Sequence, residues 1–173
     1  IDIDPHAVNT YNHNRKDAVA EVLDITKIDD TFISSLGEIH GIIGGPPCQS
    51  FSTVGQRKYD ERAKLSHQYL RLLEKIKPKM FLFENVKGIL SMREIFYQED
   101  EAGNTLYEKV KKHRGSHEYT TKEPIVDHYG DLVINRLAEE FDRIGYNIQY
   151  RTMMATEFGV PQIRERVFII GIR

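Results

Sequence analysis

The stretch from residue 64 to residue 84 limits the possible folds more than any other. Leu65, Tyr69, Leu72, Leu73 and Ile76 recur at the three-and-four spacing of one helix face, and Pro78 stops the run. Residues 80–83 follow at once. They are apolar and few, which predicts a buried strand ending at Glu84. The same alternation recurs along the chain. Asp4 and Pro5 form a helix start, Asp as the cap and Pro at the first helical position, with the helix running to about Asn12. Residues 38–43 are a short apolar strand closed by Gly44 and Gly45. Val133, Leu137, Ala138, Phe141 and Ile144 make another amphipathic helix with Gly145 as its stop, and residues 146–154 and 167–172 read as strands. Short apolar strands alternating with amphipathic helices predict an α/β fold with a mostly parallel sheet.

Residues 91–129 break the pattern. The run is polar with weak periodicity, which predicts a surface insertion with one short helix. Its cluster Lys109, Lys111, Lys112, His113 and Arg114 is basic, but Glu94, Glu99, Asp100, Glu101 and Glu108 are interleaved with it, as on a solvated face. DNA phosphate contact is the alternative reading.

Composition narrows the function classes. At 173 residues the chain is large enough for one domain with a core of its own. No apolar run approaches the roughly 18 residues of a membrane span, and the opening IDIDPHA has neither the basic start nor the apolar stretch of a signal peptide. One cysteine forms no internal disulfide and is too few for a cysteine-based zinc site, so no metal is expected. A lone thiol fits a reducing, cytoplasmic compartment. The net charge of −2 does not suggest a nucleic-acid partner. Either DNA is not the partner, the basic surface is local, or part of the protein is missing. The opening favours the last, because IDIDP reads as a strand end running into a helix.

Ligands in α/β sheets bind at the carboxyl ends of strands. Three features fall there: Gly44-Gly45-Pro46-Pro47-Cys48 after one strand, Glu84-Asn85-Val86 at the end of another, and Asp2 with Asp4 at the first. Glycines allow a close backbone approach and prolines fix the loop that presents the thiol. A thiolate nucleophile needs such a held geometry and a nearby proton handler. Taken alone, a single cysteine after a strand is more often a small buried hydrophobe.

The runs GGPPCQSFS, ENV and QIRER, in that order and near that spacing, resemble the DNA cytosine-5 methyltransferases. AVNTYNHN and LDIT (residues 23–26) look like that family's cofactor-side motifs. Apart from the insertion, the resemblance spans the whole chain. It implies a Rossmann-like S-adenosylmethionine-dependent methyltransferase fold, truncated at both ends. The chain would be a partial catalytic domain over residues 1–173, lacking the glycine-rich cofactor loop, the target-recognition region and the final helix. In isolation such a piece is expected to be inactive.

By the resemblance, Cys48 is the nucleophile that adds to cytosine C6. Glu84 bonds the N3 edge. Arg166 holds O2 and helps to position Glu84, and Gln162 and Arg164 support the loop and nearby phosphates. Gln49, Ser50, Ser52 and Asn85 fall on the substrate side; for the two serines a turn or helix cap is an equal alternative. On the cofactor side, Asp2 matches the family's ribose-binding acid, though Asp is shorter than the usual Glu. Ile3 packs on adenine, Asp24 and Ile25 contact its amino group and ring, and Pro47 and Leu65 border the methionine arm. For Asp24 a helix cap is the alternative. His40 stands where relatives often carry Asp. The expected partner is double-stranded DNA, with the base flipped out of the stack, in a bacterial cytoplasm. A cognate restriction endonuclease would be linked in function and not by contact. Two alternatives remain: a tRNA cytosine-5 methyltransferase of the same family, and a non-catalytic methyltransferase-like module.

Overall fold

Asp4 closes the first turn of α1 (Pro5–His13), its carboxylate accepting from the His6 N–H at 2.8 Å, with Pro5 at the first helical position. This computed structural model of the chain describes residues 1–17, 19–46, 64–114 and 116–173. After α1 come a 3-10 turn (Ile25–Lys27), α2 (Asp30–Ser35) and β1 (Gly41–Gly44). Then follow α3 (Lys64–Ile76), β2 (Met80–Val86) and a 3-10 turn (Lys87–Leu90). Four strands occupy the next stretch: β3 (Arg93–Tyr97), β4 (Tyr107–Arg114), β5 (His117–Pro124) and β6 (Val126–Leu132). The chain closes with α4 (Val133–Arg143), β7 (Asn147–Met154), a 3-10 turn (Ala155–Phe158) and β8 (Glu165–Ile172).

The central sheet has the order β1-β2-β8-β7. β1 and β2 are parallel, with Ile42 opposite Phe81 and Gly44 opposite Phe83. β8 is antiparallel to both of its neighbours. The fold is therefore α/β as expected: β1, β2 and β7 run the same way, and β8 alone is reversed, which makes the mostly parallel sheet a mixed one. The physical reason lies in the connection. A parallel neighbour needs a crossover, usually a helix. Residues 155–164, between β7 and β8, hold only a 3-10 turn, so the chain doubles back.

β2 is the central strand, and its two faces differ. Phe81, Phe83 and Asn85 point to one face, matched on β8 by Gly171, Ile169 and Val167. α3 and α4 cover that face. The Phe81 ring lies 4.5 Å from Phe141 of α4, and Phe83 lies 5.3 Å edge-on to Tyr69 of α3. Leu73, Phe81, Phe83, Phe141, Val167 and Ile169 are wholly buried there. The Tyr146 hydroxyl, also buried, donates to the Pro78 carbonyl at 2.7 Å and ties the end of α4 to the start of β2.

The stretch read as a surface insertion with a short helix is instead built of strands. β3 pairs with β6 and β4 with β5, both antiparallel, and no helix lies among the described residues of 91–129. No helix among the described residues is long and apolar enough to cross a membrane.

Candidate active site

Two consecutive glycines at the end of β1 set the site. A Cβ on Gly44 would sit 2.6 Å from a ring carbon of Tyr69, and one on Gly45 would sit 2.8 Å from Glu84 Oε2. Neither distance is sterically possible without movement of the ring or the carboxylate. Gly44 thus admits the Tyr69 ring, whose hydroxyl donates to the carbonyls of Ile42 (3.2 Å) and Leu82 (3.0 Å) and links β1 to β2. Burial pushes the Tyr69 phenol well above its ordinary pKa, so it remains a neutral donor. Gly45 leaves room for the carboxylate of Glu84. The glycine pair makes space for two of the chain's own side chains and also borders a cavity.

Glu84 faces away from α3 and α4. In the β2–β8 register it stands opposite Phe168, diagonal to Arg166, which pairs with Val86. Diagonal neighbours are within reach of long side chains. Arg166 Nε lies 3.1 Å from Glu84 Oε1, and Arg166 Nη1 donates to the Glu165 carbonyl at 2.8 Å. The guanidinium is thus fixed at two points, and both partners are partly buried. Nearby, the Lys87 ammonium sits 2.9 Å from the Glu165 carboxylate. A carboxylate held against an arginine at a strand end can meet a planar heterocycle edge with one acceptor and several donors.

Asn85 points to the opposite face from Glu84. It is 2 % exposed, its Oδ1 accepts from the Val86 N–H at 2.8 Å, and its Nδ2 has no partner among the described residues. The substrate-side role expected for it does not share a face with Glu84. Gln162 and Arg164 are exposed on the segment leading into β8 and are not brought against Glu84. Pro47, Cys48, Gln49, Ser50 and Ser52 lie outside the described residues.

The five cofactor-side residues within the described chain, Asp2, Ile3, Asp24, Ile25 and Leu65, line one cavity of about 670 Å³, together with Gly44, Gly45 and Pro46. Asp2 is placed by a parallel bridge to Val22, with the Leu23 N–H donating to its carbonyl at 2.9 Å. The Asp24 carboxylate caps the 3-10 turn, accepting from the Thr26 N–H (2.9 Å) and hydroxyl (2.8 Å), which hold it below the usual carboxylate pKa. Both bonds use Oδ1, so the capping role is present and leaves Oδ2 to serve a ligand. Two carboxylates beside the apolar side chains of Ile3, Ile25 and Leu65 suit a nucleoside: hydroxyls and an amino group for the acids, a flat ring for the apolar walls.

Arg71 was not foreseen. From α3 its guanidinium donates to the carbonyls of Ile28 (2.9 Å) and Ile25 (3.1 Å) and so fastens the turn that bears Ile25 to the helix behind it. In the sequence it is one more cation on the polar side of a helix, with no signal that its partners are main-chain oxygens more than forty residues away.

The architecture matches solved methyltransferases. A DNA modification methyltransferase encoded within an E. coli prophage superposes over 99 % of this chain and 38 % of its own, with TM-score 0.63 and 28 % identity. The model of the C-5 cytosine-specific DNA methylases matches residues 1–112 and 123–173, and the chain belongs to that family. Among its relatives, the Type II methyltransferase M.DdeI of Desulfomicrobium norvegicum is 35 % identical over all of this chain and 34 % of its own length. The Type II methyltransferase M.FnuDI of Fusobacterium nucleatum is 37 % identical over 95 % of this chain and 37 % of its own. The chain spans about a third of the length of these curated relatives.

Proposed function

We propose that the protein carrying this chain methylates C5 of cytosine in double-stranded DNA, using S-adenosylmethionine. The observation that carries this reading is the Glu84–Arg166 pair at the rim of β2, one glycine away from the Pro46-Pro47-Cys48 run. Cytosine C5 is a poor nucleophile. The Cys48 thiolate adds to C6 while Glu84 bonds the N3 edge, and a proton relayed from water through Glu84 to N3 makes C6 more electrophilic. Arg166 bonds O2 and offsets charge on the ring. The ring is now an enamine with electron density at C5. S-adenosylmethionine, when bound, supplies an electrophilic methyl group. Loss of the C5 proton to water, expulsion of Cys48 as thiolate and return of the N3 proton through Glu84 restore the aromatic ring.

The thiolate and the methyl group approach C6 and C5 from the ring faces, which neighbouring bases cover in a stacked duplex, so the base must leave the helix to meet a carboxylate seated at a sheet rim. The cavity at β1 offers Asp2 for ribose hydroxyls, Asp24 Oδ2 for an adenine amino group, and Ile3 and Ile25 for its faces. Gln162 and Arg164, exposed beside β8, are free to meet phosphates, and Gln49, Ser50 and Ser52 follow the nucleophile. The Type II designation of the relatives supports a restriction–modification setting, where the methyl mark shields DNA from a cognate endonuclease without contact between the two proteins.

The test is transfer of labelled methyl groups from S-adenosylmethionine to duplex DNA by the full-length protein, with the product base identified after hydrolysis and RNA of matched sequence run in parallel. Label recovered as 5-methylcytosine from DNA is the expected result. Label confined to RNA, or on an exocyclic nitrogen, would overturn the reading.

A further inference from the structure

We propose that the ribbon formed by β4 and β5 is a second, sequence-independent contact for duplex DNA, made by its exposed lysine face to the phosphate backbone; this rests on the DNA reading above. Strand pairing sorts the ribbon's charges onto two faces. Side chains alternate along a strand, and directly opposed residues share a face. One face carries Tyr107 opposite Pro124, Lys109 opposite Lys122, Lys111 opposite Thr120, and His113 opposite Glu118. The other carries Glu108 opposite Glu123, Val110 opposite Thr121, and Lys112 opposite Tyr119.

Each face contains one like-charged pair, and the two are treated differently. On the second face Lys112 forms an ion pair with Glu123 and compensates the Glu108–Glu123 repulsion within the ribbon. On the first face Lys109 and Lys122 oppose one another, and neither has a carboxylate partner among the described residues. Directly opposed like charges destabilise a ladder. Among the described residues no carboxylate of the ribbon offsets that pair, and a bound anion would. Lys111 extends the row; its pair with Glu118 (2.8 Å) is exposed and of the kind that contributes little and exchanges readily.

The row fits a polyanion better than a single phosphate. From Lys109 to His113 it runs about 14 Å along the strand, at about 3.4 Å per residue. Residues 107–124 carry five Lys and Arg against three Glu, in a chain whose totals are 24 against 26. The ribbon also has the right root. β2 delivers Glu84 to the rim and then leads through the Lys87–Leu90 turn into β3, whose partner β6 continues directly from β5. A duplex presenting one base to Glu84 extends well beyond it, where a backbone contact adds affinity without reading sequence. Of the three lysines, Lys109 and Lys111 lie within the family model's match and Lys122 lies outside it.

The experiment measures binding of the full-length protein to duplex DNA against salt, for wild type, the double variant Lys109→Gln/Lys122→Gln, and Lys109→Arg/Lys122→Arg. Each phosphate contact adds about 0.9 to the slope of log affinity on log salt. The Gln variant is expected to lose about 1.8 from that slope, so a fourfold rise in salt costs it about tenfold less affinity than wild type. The loss is the same on cognate and unrelated duplexes, the Arg variant keeps the wild-type slope, and methyl transfer at saturating DNA is unchanged. A Gln variant with the wild-type slope would overturn the proposal, while methyl transfer by the same preparation would leave the enzymatic reading standing. A slope change in a protein that transfers no methyl group would do the reverse.

Discussion

The β2 rim and the β4–β5 ribbon lie within forty residues of one another and are held by different physics. Around β2 the order comes from burial. Phe81, Phe83, Phe141 and Tyr146 lock rings together, and a Cβ on Gly171 would sit 2.0 Å from the Phe81 ring. Nothing there can move without a neighbour moving. The ribbon has no such core. Both of its faces are largely exposed, and its side-chain links are ladder neighbours and ion pairs such as Lys111–Glu118. The difference suits the two tasks proposed for them. Proton transfer to a ring nitrogen needs a carboxylate placed within a fraction of an ångström. A contact to phosphates needs only charge on a surface that can adjust.

The comparison breaks most visibly with paired truncations. Phe141→Ala removes a fully buried ring and is expected to cost about 3–5 kcal/mol by denaturant unfolding. Tyr119→Ala, in the ribbon, removes a ring that is 48 % exposed and should cost no more than about 1.5 kcal/mol. Equal losses would mean that the two regions are not differently built. Gly45→Ala sharpens the point at the rim. Its methyl would displace the Glu84 carboxylate, so kcat should fall about 10²-fold while the melting temperature barely moves. Tyr146→Phe deletes the buried bond to the Pro78 carbonyl and should cost about 1 kcal/mol by the same unfolding assay.

The smallest effect is electrostatic. Asp24 is held below the ordinary carboxylate pKa by its bonds from Thr26. A depressed folded pKa adds stability that is present above the unfolded value and lost as pH falls through the folded one. An NMR titration of the Asp24 carboxyl should therefore give a midpoint below that of an unhindered Asp, and Thr26→Val should raise it.

Much of this was legible in the sequence where burial imposes a period. Leu65, Tyr69, Leu72, Leu73 and Ile76 gave α3, and Pro78 its end, because one helix face meets a core. β2 runs two residues beyond the expected end at Glu84: Asn85 and Val86 still pair with β8, and a rim strand carries polar residues that hydrophobicity alone cannot assign. The ribbon was invisible as strand for a related reason. With both faces exposed, no alternation of apolar and polar residues is required of it. The motif runs brought the candidate residues into view, but not the geometry between them. That Gly45 borders the Glu84 carboxylate and that Arg71 fastens the Ile25 turn follow from contacts distant in sequence.

The central claim, a covalent cytosine chemistry at this rim, is tested most directly by trapping. The full-length protein would be incubated with S-adenosylmethionine and duplex DNA containing 5-fluorocytosine, then run on a denaturing gel. Fluorine cannot leave C5 as a proton does, so the thiolate stays bound. The account predicts a DNA–protein adduct that disappears in Cys48→Ser and is strongly reduced in Glu84→Gln. An adduct that persists in Cys48→Ser, or none from a protein that methylates DNA, would contradict it.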